Sequence, residues 1–526
     1  MRISILLFVL GLSVSLQAQN PNILLIIVDD IGVDPMPGYA TNSGATKANM
    51  PHLQALADSG ITYDNVWANP VCSPTRAAIL SGKYGFRTGV LNPTDQGRLA
   101  KSETTLHAYL DSASAGNYAQ SLIGKWHLGG SSNGNIDYPL EMGIDYFAGI
   151  MGGGVPDYFS WPLVQNSQET TDTTYATTKL TNLAIDWIQA QNQPWFCWLA
   201  YNSAHTPYHL PPAEMHTQMG LSGDSLDIDS NPLPYYLAMI ESLDYELGRI
   251  LDSIPQSTLD NTTIIFVGDN GTQRGVIQAP YSGQKSKGSL YQGGVHVPMI
   301  ISGATVSRQG EREPSLVSVT DIFPTVLELA GIVAPSVNDG FSFYSSLSTP
   351  NSGSRNCAYA EVDDGSDKAG WTVREDTFKL IHFSNGTEEL YDLLQDPYEN
   401  VDLLTGPIPM TDAQTAAYQR LSNLFQDSIT ACIFPASLST SNEQAFREAA
   451  LQIYPNPTQN ELFVKWTQGP ATQIRLWDIQ AQLIMTERSP QGETEARLQL
   501  HALPKGLYHL EVIQGTSRSI ETILLQ

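Results

Sequence analysis

Asn22-Ile23-Leu24-Leu25-Ile26-Ile27-Val28-Asp29-Asp30 is an unbroken run of β-branched and leucine side chains that stops on two adjacent acids. It does not alternate with polar residues, so neither face of such a strand can meet water. A strand buried on both faces belongs to a largely parallel sheet covered by helices. Two later segments have the same make-up. Trp195-Phe196-Cys197-Trp198-Leu199-Ala200-Tyr201 runs out near His205, and Thr262-Thr263-Ile264-Ile265-Phe266-Val267-Gly268 is followed by Asp269-Asn270. Between them, Leu180, Leu183, Ala184, Trp187 and Ile188 share one helical face, as do Leu237, Ile240, Leu243, Leu247, Ile250 and Leu251. Buried strands alternating with amphipathic helices predict an α/β domain with a mostly parallel central sheet flanked by helices. The polar residues then fall just past the carboxyl ends of strands, where open α/β sheets bind ligands.

The surrounding chain sets further bounds. Its 526 residues exceed one ordinary core, and its formal charge of −26 argues against a nucleic-acid partner. Residues 446–526 carry 7 basic and 8 acidic side chains, so nearly all the excess acid lies before them. At the N-terminus, Arg2, an apolar run over residues 5–16 and Gln17-Ala18-Gln19 read as a secretory signal over residues 1–18. That run falls short of the ~20 residues of a transmembrane helix, and no later segment is long enough, so an exported, soluble protein is expected. Past about residue 435 the text changes. A polar linker over 436–452 gives way to short alternating runs such as Leu462-Phe463-Val464-Lys465-Trp466 and Leu507-Tyr508-His509-Leu510-Glu511-Val512. They predict a small all-β sandwich over 453–526. Four cysteines are too few for a disulfide scaffold, and Cys197, Cys357 and Cys432 read most simply as buried thiols, one disulfide being the alternative.

The residues that carry chemistry lie in loops. Asp29, Asp30, Asp269 and Asn270 are oxygen donors at two strand ends, the ligand type that a hard divalent cation takes. Singly each could be a cap or turn residue. Adjacent acids ending a buried strand repel, however, and a cation relieves this. Arg76, Lys125, His127, His205 and Lys287 sit in Gly-, Pro- and Trp-rich contexts rather than on amphipathic faces. Gathered in one pocket of an acidic chain, they would cradle a tetrahedral anion.

Cys72-Ser73-Pro74-Thr75-Arg76, with an apolar stretch ending at Ser81-Gly82, resembles the signature of the type I sulfatases, a branch of the alkaline-phosphatase-like superfamily. The likeness continues in that family's order through Asp29-Asp30, Gly124-Lys125-Trp126-His127-Leu128-Gly129, Ala204-His205-Thr206-Pro207, Gly268-Asp269-Asn270-Gly271 and Lys287-Gly288-Ser289-Leu290-Tyr291-Gln292-Gly293-Gly294. It extends to Glu389-Leu390-Tyr391-Asp392-Leu393 and Asp396-Pro397. The resemblance implies a catalytic region over residues 20–435 that includes a smaller C-terminal α+β subdomain. It implies Cys72 oxidised to formylglycine by a maturation enzyme, and one Ca²⁺ held by Asp29, Asp30, Asp269, Asn270 and residue 72, with Mg²⁺ as the runner-up. An aldehyde hydrate suits sulfate transfer: one hydroxyl attacks sulfur, and the other later expels sulfate by re-forming the carbonyl. Arg76 would favour the deprotonated hydroxyl, with Asp269 as proton acceptor. Lys125 would neutralise sulfuryl oxygens, His205 and Lys287 would serve the leaving alcohol, and His127 would assist sulfate release. Gln292 and His296 stand where the family commonly has Glu and Arg, which leaves the chemistry intact and the substrate open.

The last segment resembles the sorting domain of the type IX secretion route, through Ile453-Tyr454-Pro455-Asn456-Pro457-Thr458, Leu462 and Leu503-Pro504-Lys505-Gly506-Leu507-Tyr508. A carbohydrate-binding sandwich is the alternative. The whole is expected to be an exported sulfatase acting on sulfated polysaccharide or its oligosaccharides, short fragments being preferred by so acidic a chain. The alternatives are a phosphomonoester or phosphonate hydrolase of the same superfamily, or an inactive sulfatase-like binding protein. Residues 152–166 and 209–232, with Tyr158, Trp161, His209 and His216, are the expected specificity loops, whose aromatics either stack on a sugar or close the pocket.

Overall fold

Strand β1 (Asn22–Val28) is buried along its whole length. Its side chains divide between two cores: Leu24, Ile26 and Val28 enter one, and Ile23, Leu25 and Ile27 the other. This is what an unalternating apolar strand needs, since each face must be covered by its own layer of helices. The computed structural model describes residues 20–427, apart from 40–43, 95–96, 130–134, 166 and 336–338, together with the strand regions between 452 and 525. The chain divides into two units, residues 1–434 and 435–526. The signal reading of residues 1–18 and nearly all of the linker reading of 436–452 lie outside the described residues.

In the first unit β1 joins β2 (Gly60–Trp67), β3 (Ala119–Lys125), β4 (Tyr146–Ile150), β5 (Trp161–Gln165), β6 (Gln168–Asp172), β7 (Trp195–Ala200), β8 (Thr262–Gly268), β9 (Met299–Gly303) and β10 (Glu311–Ser318). The sheet order is β10-β2-β9-β8-β1-β7-β3-β4-β5-β6. Its central strands β8, β1, β7, β3 and β4 are parallel, while β9, β5 and β6 pair antiparallel towards the margins. Helices Pro51–Asp58, Ala176–Gln189 and Pro232–Ser253 cover one face, burying Leu53, Leu180, Ile188, Leu237, Ile240 and Leu247. Helices Cys72–Ser81, Leu106–Ser114 and Ile322–Leu329 cover the other through Ala77, Ile79, Leu110, Phe323 and Val326. Both predicted amphipathic stripes are therefore core faces.

A second, antiparallel sheet in the order β11-β12-β13-β14 follows (Ala358–Val362, Gly370–Arg374, Phe378–Phe383, Glu388–Asp392), with helix Asp412–Asp427 packing Leu421 into its core. Cys357 in this subdomain is disulfide-bonded, with its partner outside the described residues, whereas Cys72 and Cys197 are free. The reading of three buried thiols is thus corrected; bonding at cysteine 357 depends on a residue distant in sequence, which spacing does not reveal. The second unit forms two sheets, β15-β16-β19 (Gln452–Tyr454, Glu461–Lys465, Glu495–Gln499) and β18-β17-β20-β21 (Leu483–Ser489, Thr472–Asp478, Gly506–Gln514, Ser517–Leu525). Leu462, Val464 and Leu498 face Ile474, Leu476 and Leu510 in one shared core, the layout of a sandwich. No helix among the described residues is long and apolar enough to cross a membrane.

Candidate active site

The register of the parallel strands delivers the polar residues to one place. Val28 pairs with Gly268, so Asp29-Asp30 and Asp269-Asn270 leave β1 and β8 side by side. Ile27 pairs with Ala200, and Ala200 with Gly124, so the segment leading to His205 and the end of β3 at Lys125 flank the same edge. Helix Cys72–Ser81 starts beneath these strand ends and is buried throughout. Cys72 and Arg76 are one helical turn apart and so share a face.

The charged side chains interlock. Arg76 Nη2 donates to Asp269 Oδ2 at 2.7 Å and lies 3.9 Å from Asp29 Oδ2, while its Nη1 donates to the Lys125 carbonyl at 3.2 Å. Lys125 Nζ meets Asp29 Oδ2 at 2.6 Å, and Lys287 Nζ meets Asp30 Oδ1 at 2.5 Å. His205 Nε2 stands 4.0 Å from Asp30 Oδ2. Cys72 Sγ is 3.2 Å from His127 Nδ1. Asn270 Nδ2 donates to Asp30 Oδ1 at 2.9 Å. Every residue nominated from the sequence for catalysis or metal binding therefore falls in a single cluster.

Burial sets the protonation states. Burial opposes the Asp30 charge, but Lys287 and His205 outweigh it and hold the carboxyl well below the usual carboxylate range. Burial and the neighbouring Asp29 push Asp269 up to about 6, against the pull of Arg76. Burial, reinforced by Lys125 and Arg76, drives His127 well below its ordinary value, so its imidazole is neutral. Burial disfavours the Lys287 ammonium, yet Asp30 more than compensates and keeps it charged.

The donor set fits a hard cation. Asp29 Oδ1, Asp30 Oδ2 and Asn270 Oδ1 are buried with no hydrogen-bond partner. Orphaned buried oxygens are costly, and their coincidence here is explained by an ion that they would share. One ligand atom from each of Asp29, Cys72 and Asp269 lies within 4.8 Å of the others, and so for Asp29, Asp30 and His205.

Two supporting roles were not assigned from the sequence. Ser73 Oγ donates to the His127 carbonyl at 2.8 Å, and the Tyr158 hydroxyl lies 2.7 Å from the carbonyls of both Asn202 and His205. Ser73 lay inside the quoted motif and could have been suspected; Tyr158 had no local signal for this role. Tyr158 and Trp161 are buried, and His209 stacks on Tyr158 at 4.2 Å. These aromatics therefore close the wall rather than offer a stacking face; His216 is half-buried, and Phe159 beside them is the exposed ring. Gln292 accepts from Trp67 Nε1, and His296 meets the Asp64 carbonyl, so both brace the frame.

A family model described as sulfatase matches residues 21–332, one described as N-sulphoglucosamine sulphohydrolase, C-terminal, matches 283–427, and a secretion system C-terminal sorting domain matches 452–526. The uncharacterized sulfatase YdeN of Escherichia coli is 29% identical over 368 residues, covering 60% of this chain and 63% of that protein. Human N-acetylgalactosamine-6-sulfatase is 29% identical over 365 residues, covering 62% and 65% respectively. The chain thus spans less than two thirds of these relatives' own length. Among solved structures, Ps i-CgsB in complex with k-i-k-neocarrahexaose superposes with a TM-score of 0.65 at 23% identity, covering 82% of this chain and 97% of that one, a likeness of fold.

Proposed function

The chain belongs to the sulfatase family, and we propose that it is a secreted, calcium-dependent sulfuric ester hydrolase acting on sulfate esters of polysaccharide or oligosaccharide. One arrangement carries the reading: five basic side chains, Arg76, Lys125, His127, His205 and Lys287, surround Cys72 beside three unpartnered buried oxygens. Calcium held by Asp29, Asp30, Asp269, Asn270 and residue 72 would supply positive charge to the sulfuryl oxygens. Formylglycine, made from Cys72 by a maturation enzyme, would supply an aldehyde hydrate as nucleophile in place of a thiol.

The chain's own residues divide the remaining work. Arg76, one turn from residue 72, keeps its charge beside the nucleophile through Asp269 and Asp29. Asp269, whose Oδ2 accepts from Arg76 Nη2 at 2.7 Å, lies on the nucleophile side and accepts a proton there. Lys125 lies against Asp29 and neutralises developing charge on the anion. Neutral His127, with Nδ1 3.2 Å from the side chain of residue 72, takes up a proton as sulfate departs. His205 and Lys287 flank Asp30 and serve the leaving alcohol oxygen.

The sugar-sulfatase names of relatives motivate a sulfated carbohydrate substrate. The sorting tail motivates secretion or cell-surface display. Residues 20–435 would then be the catalytic region and 453–526 the type IX sorting sandwich, removed on export together with the signal of residues 1–18. The test is a parallel assay of sulfate and phosphate release from the same aryl group, with mass analysis of the peptide containing residue 72. Sulfate release with formylglycine at 72 is expected. Faster phosphate release would move the protein to the phosphoester hydrolases, binding without turnover after confirmed modification would make it a binding protein, and full activity with an unmodified thiol would remove the nucleophile.

A further inference from the structure

Glu399 lies in the loop after β14, is 1% exposed and has φ of +60°. It is not among the residues assigned to the chemistry, yet three of its oxygens are engaged. Oε1 accepts from Lys379 Nζ at 2.5 Å and Oε2 from the Gln292 backbone N–H at 2.7 Å, while its carbonyl accepts from Lys285 Nζ. Lys285 and Gln292 bracket the segment that carries Lys287. The chain around this segment is closely packed. A Cβ on Gly293 would fall 2.0 Å from the Lys285 carbonyl oxygen, and one on Gly271 would fall 1.9 Å from that of Gly293. The Gly271 N–H donates to the Gly294 carbonyl and the Lys287 N–H to the Thr272 carbonyl, both at 2.9 Å. The segment therefore rests on the chain that follows Asp269-Asn270. A second tie runs from the Tyr291 hydroxyl to Glu389 Oε2 at 2.7 Å, which the Tyr391 hydroxyl shares.

We infer that Glu399 is a positioning residue: with Lys285 it clamps both ends of residues 285–292 to the second sheet's subdomain and so seats Lys287 on Asp30. A buried ion pair is a poor source of net stability, since apolar residues of like volume do as well. What a carboxylate adds is a fixed fork, here joining a lysine of β13 to the backbone of Gln292. This gives a task to the segment from Glu389 to Glu399, whose motif the chemistry leaves unused. The inference rests on Lys287 acting on the leaving group, as proposed above.

The test uses the full chain with Glu399→Gln and Lys285→Met, each made alone and in a Lys287→Ala background. The substrates are 4-nitrophenyl sulfate and the best-hydrolysed member of a panel of sulfated mono- and disaccharides. Displacing Lys287 is expected to lower kcat/KM on the sugar ester by roughly 10–10²-fold, with a much smaller change on the nitroaryl ester. In the Lys287→Ala background the same substitutions should cost nothing further, since the two act as one unit. Equal losses on both esters, in both backgrounds, would overturn the inference. Amide hydrogen exchange over residues 285–294 is read independently of turnover, and faster exchange is expected in both variants. Unchanged protection overturns the clamp, whereas failure of the wild type to hydrolyse either ester overturns the functional reading alone. If Glu399→Gln leaves Lys379 unpaired and does not fold, Lys285→Met, at a half-buried position, carries both readouts.

Discussion

Lys287 and Arg76 each sit on a carboxylate, yet on opposite sides of the proposed reaction. Lys287 pairs with Asp30 near His205, while Arg76 pairs with Asp269 one turn from Cys72. A nitroaryl oxygen departs as an anion, whereas a sugar hydroxyl is far more basic and needs a proton or a close charge. His205→Ala and Lys287→Ala should therefore cut hydrolysis of a sugar sulfate by about 10²–10⁴-fold and that of a nitroaryl sulfate much less. Arg76→Ala should impair both alike, and kcat/KM on the two esters reports the difference. His107 offers a stability test far from this chemistry. It is buried, its Nε2 meets the Ser121 carbonyl at 3.2 Å, and burial pushes its pKa down to about 4. The native state thus prefers neutral imidazole. This contribution is full above the unfolded value near 6.5 and is lost as pH falls towards 4, on the order of 3 kcal/mol. His107→Phe, packed against Phe196 and Trp198, should start with a slightly lower Tm at pH 7.5 and lose less of it by pH 5. Parallel melting curves that keep their spacing at every pH would remove His107 from the acid response.

At the scale of elements, the loop after β4 presses glycines onto the two histidines. A Cβ on Gly153 would stand 2.5 Å from both Cε1 and Nε2 of His127, and one on Gly154 3.2 Å from His205 Nδ1. His127 has little room to yield, because Cys72 Sγ and the Ser73 hydroxyl hold it from the other side. Gly153→Ala should therefore displace the imidazole and lower kcat by roughly 10²-fold, while Tm barely moves because the loop is partly exposed. A Tm loss matching the activity loss would point to unfolding instead. The helix Cys72–Ser81 explains why so compact a motif carries chemistry. Its left-handed cap at Gly82 donates to the Ala78 carbonyl, ending the helix within three turns, while its first turn presents Cys72 and Arg76 together.

For the whole molecule, the acid cluster couples stability to a ligand. A cation bound only by the native state stabilises it by mass action, about 2.7 kcal/mol at a hundredfold excess over Kd. Chelation should lower both Tm and turnover, and calcium should restore both; an unchanged Tm and rate would separate the acids from metal binding. The second unit makes a different prediction. All the nominated site residues lie at or before Lys287, so a chain lacking residues 453–526 should hydrolyse soluble substrate normally and accumulate in the periplasm of its host. Normal export with lost polysaccharide binding would identify a binding module.

The amino-acid sequence by itself determined three central strands of the large sheet (β1, β7 and β8), the two amphipathic stripes and the types of residue at the strand ends. It could do so because apolar periodicity and the one-turn spacing of Cys72 and Arg76 are local properties of the chain. What it left open was pairing. That Lys287 answers Asp30 and Lys125 answers Asp29 follows from the order β8-β1-β7-β3, in which crossovers bring distant strand ends together. The role of Glu399, the burial of Tyr158 and Trp161, and the disulfide at Cys357 were likewise decided only in three dimensions. An aromatic ring or a carboxylate reads the same in sequence whether it faces solvent or a packed neighbour; only the tertiary contacts supply its partner, and with it its task.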